Sequence, residues 1–256
     1  SMEGIKELIK DFDKSEVAGI SFGGQMHGLV MLDANDEVIR PAILWNDGRS
    51  TDEVDYLNNE IGKDKLTKWT GNIAFAGFTA PKVLWVKKNE PEFFFACLEI
   101  AFGDDEPENF ERIAKIMLPK DYINYMLTGV FATDVSDASG TLYFDVEHRT
   151  WSDEMCDICS INKEWLPKIF ESYEVTGKVK PELCEELGLS KDCICAAGAG
   201  DNAAAAVGMG VVGKGGCNIS LGTSGTIFIT SQNYGVDENN ALHSFGHADG
   251  GYHLMG

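Results

Sequence analysis

The sequence predicts an α/β fold with helical insertions, on three observations. Short apolar runs of strand type alternate with segments of helical spacing along the 256 residues. Glycines close several of the strand-type runs, as at Gly23-Gly24 and Gly198-Ala199-Gly200. No fixed-period repeat or low-complexity tract interrupts the order. A chain of this length buries one large or two modest cores.

Taken in order, residues 4–12 place Ile5, Leu8, Ile9 and Phe12 on one helical face. Residues 17–22 read as a strand. Residues 28–32 and 37–40 flank Asp33-Ala34-Asn35-Asp36, a hairpin turn. Asn46-Asp47 is placed to cap a helix starting near Ser50. Residues 56–131 read as mainly helical, with breaks at Gly71, Pro81, Gly103 and Gly129. Pro81 sits in the first turn of one helix, and residues 118–128 form another that stops at Gly129. Residues 133–141 read as a polar loop, and residues 153–161 and 181–187 as short helices. From Asp192 the pattern changes to strand, glycines, Asp201, an alanine helix and Gly208. Residues 217–221 and 226–230 then form a hairpin. A second domain is expected to begin near Val211.

Charge narrows the function classes. There are 41 acidic and 21 basic residues, a net charge of −20. Such a surface repels phosphate backbones and anionic membranes, so neither a nucleic acid nor a membrane is an expected partner. No apolar run reaches the roughly 20 residues of a membrane span, and the first residues lack a signal-peptide pattern. The seven cysteines are an odd number, scattered as reduced thiols would be. Cytoplasmic location is the expectation. Cys156-Asp157-Ile158-Cys159 is a lone C-x-x-C with no second half to complete a zinc set, and reads as helix-face core. Cys193 and Cys195 alternate as in a buried strand.

Four motifs carry chemistry. Asp201 stands between glycines and an alanine run. It reads as a helix cap, as a general base for a substrate hydroxyl, or as both. Gly222-Thr223-Ser224-Gly225 reads as an ordinary hairpin turn or as a phosphate cradle of backbone N–H groups and hydroxyls. It is not a Walker A loop, since no Gly-Lys-Ser/Thr follows. Gly23-Gly24-Gln25-Met26-His27-Gly28 lies at a strand end, where polar ligands bind in α/β folds, and Gln25 and His27 suit the hydroxyls of a polyol. Asp47 reads first as a cap with Arg49 as its partner, and second as part of a sugar site.

With these residues in hand, a resemblance emerges. Residues 21–28 and the run Arg40-Pro41-Ala42-Ile43-Leu44-Trp45-Asn46-Asp47-Gly48-Arg49 closely resemble the xylulose kinases of the FGGY carbohydrate kinase family. Leu118-Pro119-Lys120-Asp121-Tyr122, Leu127-Thr128-Gly129, Gly200-Asp201-Asn202-Ala203-Ala204 and residues 220–225 look like later signatures of that family. So do His243-Ser244-Phe245 and His253-Leu254-Met255-Gly256. The resemblance covers nearly the whole chain. It implies an actin-like ATPase (ribonuclease H-like) fold, bilobal and incomplete here. Residues 1–210 would be the sugar-binding N-terminal domain, truncated at its start, and residues 211–256 the beginning of the nucleotide-binding domain.

The resemblance also implies transfer of the ATP γ-phosphoryl group, with Mg²⁺, to the 5-hydroxyl of D-xylulose. Asp201 would be the proton acceptor, Gln25, Met26, His27 and Asn202 would bind sugar, and Gly222, Thr223 and Ser224 would face the ATP phosphates. The family opens with an Asp-x-Gly-Thr hairpin and continues into a glycine-rich adenosine region. Neither is in the sequence, so the chain reads as a central fragment, inactive alone and prone to pair as a homodimer through open strand edges. A kinase for gluconate or another sugar, and a non-catalytic sugar-binding remnant, remain open alternatives.

Overall fold

The computed structural model describes residues 2–94, 113–221 and 225–256. Two short parallel strand pairs organise it. Gly19–Ile20 runs parallel to Ile194–Ala196, with Gly19 opposite Ile194, and Ile194–Ala196 also pairs antiparallel with Val175–Lys178. Just beyond, Gly23–Gly24 runs parallel to Ala199–Gly200. The strand expected over residues 17–22 is thus split. Gly198 causes the split: it is left-handed at φ +79°, and a Cβ there would lie 2.3 Å from the Phe22 carbonyl oxygen. Cys193 and Cys195 are buried beside Ile5, Leu127, Val179 and Leu187, as their alternation predicts.

The first helix, Met2–Leu8, stops short of Phe12. Asp13 accepts from the Ser15 N–H at 3.0 Å and starts a separate short 3₁₀ turn, Lys14–Glu16. The turn at residues 33–36 forms as expected, with Asp33 Oδ1 accepting from Asn35 N and Glu37 N at 2.8 and 3.0 Å. Its second arm does not form the expected strand. Val30–Leu32 pairs instead with Lys115–Met117, and only a Leu32–Val38 bridge remains. Burial decides this: Ile116 and Met117 are in the core, whereas Val38 is 47% exposed.

Helices Thr51–Asp55, Lys63–Thr70, Thr79–Asn89 and Pro119–Thr128 form as the spacing predicts, with a π-helical segment over Tyr56–Gly62. Lys63–Thr70 and Pro119–Thr128 end at left-handed Gly71 and Gly129. The expected break at Gly103 lies outside the described residues. The first three of these helices and the segment before Pro119–Thr128 enclose the largest core, which includes Leu57, Leu66, Phe78, Val83, Ile116 and Leu142.

The polar stretch 133–141 is not a loop. It holds the end of strand Ala132–Asp134, helix Val135–Ala138 and the 3₁₀ turn Ser139–Thr141, all buried. The hydroxyls of Ser136, Ser139 and Thr141 are satisfied within the segment. Ser136 Oγ donates to Asp134 Oδ2 at 2.5 Å, Ser139 Oγ to the Val135 carbonyl at 2.7 Å, and Thr141 Oγ1 to the Ala138 carbonyl at 2.7 Å. Helix Asp153–Cys159 buries Cys156 and Cys159 as free thiols, and burial pushes the Cys156 thiol up to about 11, so neither is a reactive thiolate. No helix among the described residues is long and apolar enough to cross a membrane.

The chain ends in an antiparallel sheet of Cys217–Leu221, Gly225–Ser231, Tyr252–Met255 and His243–Gly246, in that spatial order. Buried Asn72 holds it to the helical part, donating to the Ser244 carbonyl at 2.8 Å and accepting from the Ser244 N–H at 2.9 Å. Asn72→Ala leaves both backbone groups buried and unpaired, a cost of about 1–3 kcal/mol per group. We expect a urea midpoint well below wild type, with the loss read from equilibrium unfolding. An unchanged midpoint would mean the sheet is held elsewhere.

Candidate active site

The parallel pairing of Gly23–Gly24 with Ala199–Gly200 brings two distant motifs to one end of the fold. Gln25-Met26-His27 leaves the first strand, and Asp201-Asn202 leaves the second to begin helix Asp201–Gly208. Met26 makes the contact close. A Cβ on Gly200 would lie 2.8 Å from Met26 Cγ, so glycine is required where the two segments touch.

His27 is left-handed at φ +69°, uncommon for a residue with a Cβ. That conformation turns its ring onto Gly140, and Nδ1 lies 2.7 Å from the Gly140 carbonyl oxygen. A carbonyl only accepts, so Nδ1 carries the proton and the neutral ring keeps Nε2 as an acceptor. The ring is not wholly shut off from solvent, yet burial pushes its pKa down to about 4, against the raising effect of the Gly140 bond. Around it stand Phe78 at 4.8 Å and Phe245 at 6.4 Å between ring centroids. His243 sits 5.0 Å from Phe78 and 4.6 Å from Phe75, and burial pushes it to about 4 as well. An apolar wall with two neutral imidazoles suits a hydroxyl-bearing ligand.

Asp201 is exposed, and it is the first residue of its helix rather than the cap; Gly200 holds the cap position. Its Oδ1 accepts from the next residue, Asn202 N at 2.9 Å and Asn202 Nδ2 at 3.3 Å, so it does not satisfy the deeper N–H groups that a cap would. No cation pairs with it among the described residues. The surrounding chain desolvates it enough to raise its carboxyl above the ordinary range, opposed by the Asn202 N–H.

Gln25 is placed elsewhere, in a groove with Gly4, Ile5, Leu8, Pro119 and Lys120. Gly222, Thr223 and Ser224 lie outside the described residues; the strands on either side, Cys217–Leu221 and Gly225–Ser231, pair as a hairpin. Asp47 accepts from Arg49 N at 3.0 Å and from its guanidinium at 2.8 Å, which holds its carboxyl below the usual range; it does not cap the next helix, whose cap position is Ser50. Among the described residues no group of three or more His, Cys, Asp or Glu side chains could hold a metal ion.

Sequence reasoning missed what supports this site. Lys82 Nζ and Thr79 Oγ1 both donate to the His27 carbonyl, at 3.0 and 3.2 Å. Ser136 Oγ accepts from Gly200 N at 3.1 Å, one residue before Asp201. The readable signal for Lys82 was a charge inside the otherwise apolar run Ala80-Pro81-Lys82-Val83-Leu84.

Comparison with known proteins bears on this arrangement. The FGGY family of carbohydrate kinases, N-terminal domain, matches residues 1–208. A xylulose kinase of Escherichia coli (strain K12) is 40% identical over 252 residues, covering 98% of this chain and 48% of that protein. The crystal structure of a "xyloylose kinase" from Brucella ovis superposes with a TM-score of 0.87 at 39% identity, over 100% of this chain and 49% of the other. The gluconate kinase structure from Lactobacillus acidophilus gives 0.85 at 28% identity, over 99% and 48%. The fold is therefore that of the FGGY sugar kinases, the actin-like ATPase fold. The chain spans about half the length of the curated relatives it matches.

The half-buried, neutral His27 makes stability depend on pH. Between pH 6.5 and about 4 the unfolded chain binds a proton at His27 that the folded chain does not. Its contribution is whole above 6.5 and is lost as pH falls toward 4, at up to about 1.4 kcal/mol per pH unit. His27→Gln should flatten the fall in unfolding free energy from pH 6.5 to 5, measured by urea titration. An identical slope in the variant would mean that the ring is solvated.

Proposed function

This chain belongs to the FGGY family of carbohydrate kinases, and on that premise we propose that it carries the sugar site of a kinase that phosphorylates the 5-hydroxyl of D-xylulose. The observation that carries the proposal is the parallel pairing of the strands that lead into Met26-His27 and Asp201-Asn202, with Met26 packed against Gly200. The substrate assignment is supported by the xylulose kinases among its relatives and by the Gln25-Met26-His27-Gly28 segment. We place the boundary of the sugar-binding domain near Val211, at the end of the helix that Asp201 begins.

In this reading His27 Nε2 accepts a hydrogen bond from a sugar hydroxyl, and Met26 and Phe78 supply the apolar wall. Asp201 accepts the proton of the reacting hydroxyl while that oxygen forms its bond to the γ-phosphorus and the bond to the β,γ-bridging oxygen breaks. Asn202, donating to Oδ1, holds the carboxylate in place. Desolvation strengthens the base by raising its pKa, while its exposure and lack of a cation partner leave it open to substrate. ATP is the phosphoryl donor, its phosphates lying against Gly222, Thr223 and Ser224. Mg²⁺ bound to those phosphates would neutralise developing charge. Among the described residues no group of three or more His, Cys, Asp or Glu side chains could cage such an ion, so it would be held chiefly by the phosphates and water.

A kinase for gluconate is the second reading, favoured by the fold similarity to a gluconate kinase. Rates with each sugar separate the two.

Asp201→Asn in the complete protein should lower sugar phosphorylation by about 10²–10⁴-fold, the worth of a placed general base. The fold should persist, since Asn keeps the shape. ADP release at saturating xylulose and ATP measures it, and a rate within about threefold of wild type removes Asp201 from the base role. His27→Ala should weaken apparent xylulose affinity by about 0.5–1.5 kcal/mol and leave ATP affinity unchanged. Equal losses for both would assign His27 to the fold instead.

A further inference from the structure

We infer that Lys82 is a positioning residue: with Thr79 it grips the His27 carbonyl and holds His27 left-handed, so that Nε2 faces ligand as a hydrogen-bond acceptor only. The inference rests on the proposed sugar site for its ligand, but its geometry stands apart from it.

Lys82 is fully buried in the first turn of helix Thr79–Asn89. Neither circumstance favours a cation there. Burial strips its water, and the positive end of the helix dipole repels it. No carboxylate forms a salt bridge with it among the described residues; Asp47 acts only through its field, and burial pushes the ammonium down to about 8. The ammonium has three hydrogens, and three backbone carbonyls surround it, those of His27 at 3.0 Å, Phe78 at 3.2 Å and Gly77. Thr79 Oγ1 adds a second donor to the His27 oxygen at 3.2 Å.

The lock is mutual. Rotation of His27 out of the left-handed region swings its carbonyl away and leaves a buried ammonium hydrogen unpaired. While the carbonyl is held, Nδ1 is held on Gly140, and Gly140 cannot be replaced without contact, since a Cβ there would lie 2.4 Å from Nδ1. With Nδ1 committed as donor, Nε2 has no proton to give. A ligand must therefore present a hydroxyl at that point; a carbonyl or carboxylate meets a bare lone pair. Lys82 thereby sets the ligand class through His27 without touching ligand.

The test reads the ring itself. In the full chain with ¹⁵N-labelled histidine, the His27 ring nitrogens are assigned by comparison with His27→Gln. Wild type should show a protonated Nδ1 and a bare Nε2. Lys82→Met, and Thr79→Val, which changes no charge, should each shift the pair toward averaged tautomers, the lysine variant more. D-xylulose affinity by calorimetry should weaken at least tenfold in Lys82→Met. If Lys82→Met does not fold, Thr79→Val decides. Ring signals unchanged in a folded variant overturn the inference. Signals that shift as stated in a chain that does not bind xylulose uphold the positioning role and overturn the sugar reading alone.

Discussion

The structure depends on one buried cation. Lys120 Nζ, fully enclosed, lies 2.6 Å from Asp121 Oδ1, 3.0 Å from Asp134 Oδ1 and 3.9 Å from Asp137 Oδ2, and donates to the Ala197 carbonyl at 3.0 Å. These groups come from helix Pro119–Thr128, strand Ala132–Asp134, helix Val135–Ala138 and the segment that leads into Asp201. Burial alone would lower the Lys120 pKa; the three carboxylates together raise it, so the ammonium is permanent. One cation does not balance three carboxylates. Burial, reinforced by its acidic neighbours against the pull of Lys120, raises the Asp137 pKa well above the usual range, and both its oxygens lack a hydrogen-bond partner.

The site inherits its geometry from that cluster. Asp134 Oδ2 accepts from Ser136 Oγ and Ser172 Oγ, and Ser136 in turn accepts from Gly200 N. The relay ends one residue before Asp201. On the other side, Gly24 packs so closely on Lys120 that a Cβ would lie 2.7 Å from the lysine Cβ. Both strand ends that carry the candidate site are thus fixed against the same side chain. Removing one partner of such a network leaves a buried charge uncompensated in a low dielectric, which is strongly unfavourable.

What was legible in the sequence follows from the range of each interaction. Asp201 and His27 stood out because glycines beside them mark backbone turns, a local signal. The helix ends at Gly71 and Gly129 were legible for the same reason. The strand partner of Val30–Leu32 was not, since Lys115–Met117 is distant in sequence and competes with a nearby arm whose valine is exposed. Residues 133–141 read as a loop because their composition is polar; their burial follows from hydrogen bonds that close within the segment and onto Lys120. In the sequence Lys82 and Lys120 show only as charges near the starts of helical segments. Their partners, the carbonyls of His27 and Ala197, are 55 and 77 residues away.

The two buried lysines also divide the electrostatics of the site. Lys120 is consumed by carboxylates and Lys82 by carbonyls, so neither offers positive charge to a ligand. The strand ends lead into Asp201, which is exposed, and His27, which is partly exposed and commits Nδ1 to Gly140, so both have an acceptor to offer. A phosphate group is repelled by that pair, whereas an alcohol supplies the hydrogens both want. On the proposed reading, the anionic donor is met by backbone N–H groups and hydroxyls. The motif of that chemistry is Gly222-Thr223-Ser224-Gly225, and the strands on either side, Cys217–Leu221 and Gly225–Ser231, belong to a different sheet from Ala199–Gly200, which leads into Asp201. On the proposed reading, alcohol and phosphate are thus sorted to separate parts of the fold before they react. The acceptor face selects the alcohol because it has nothing to offer a phosphate.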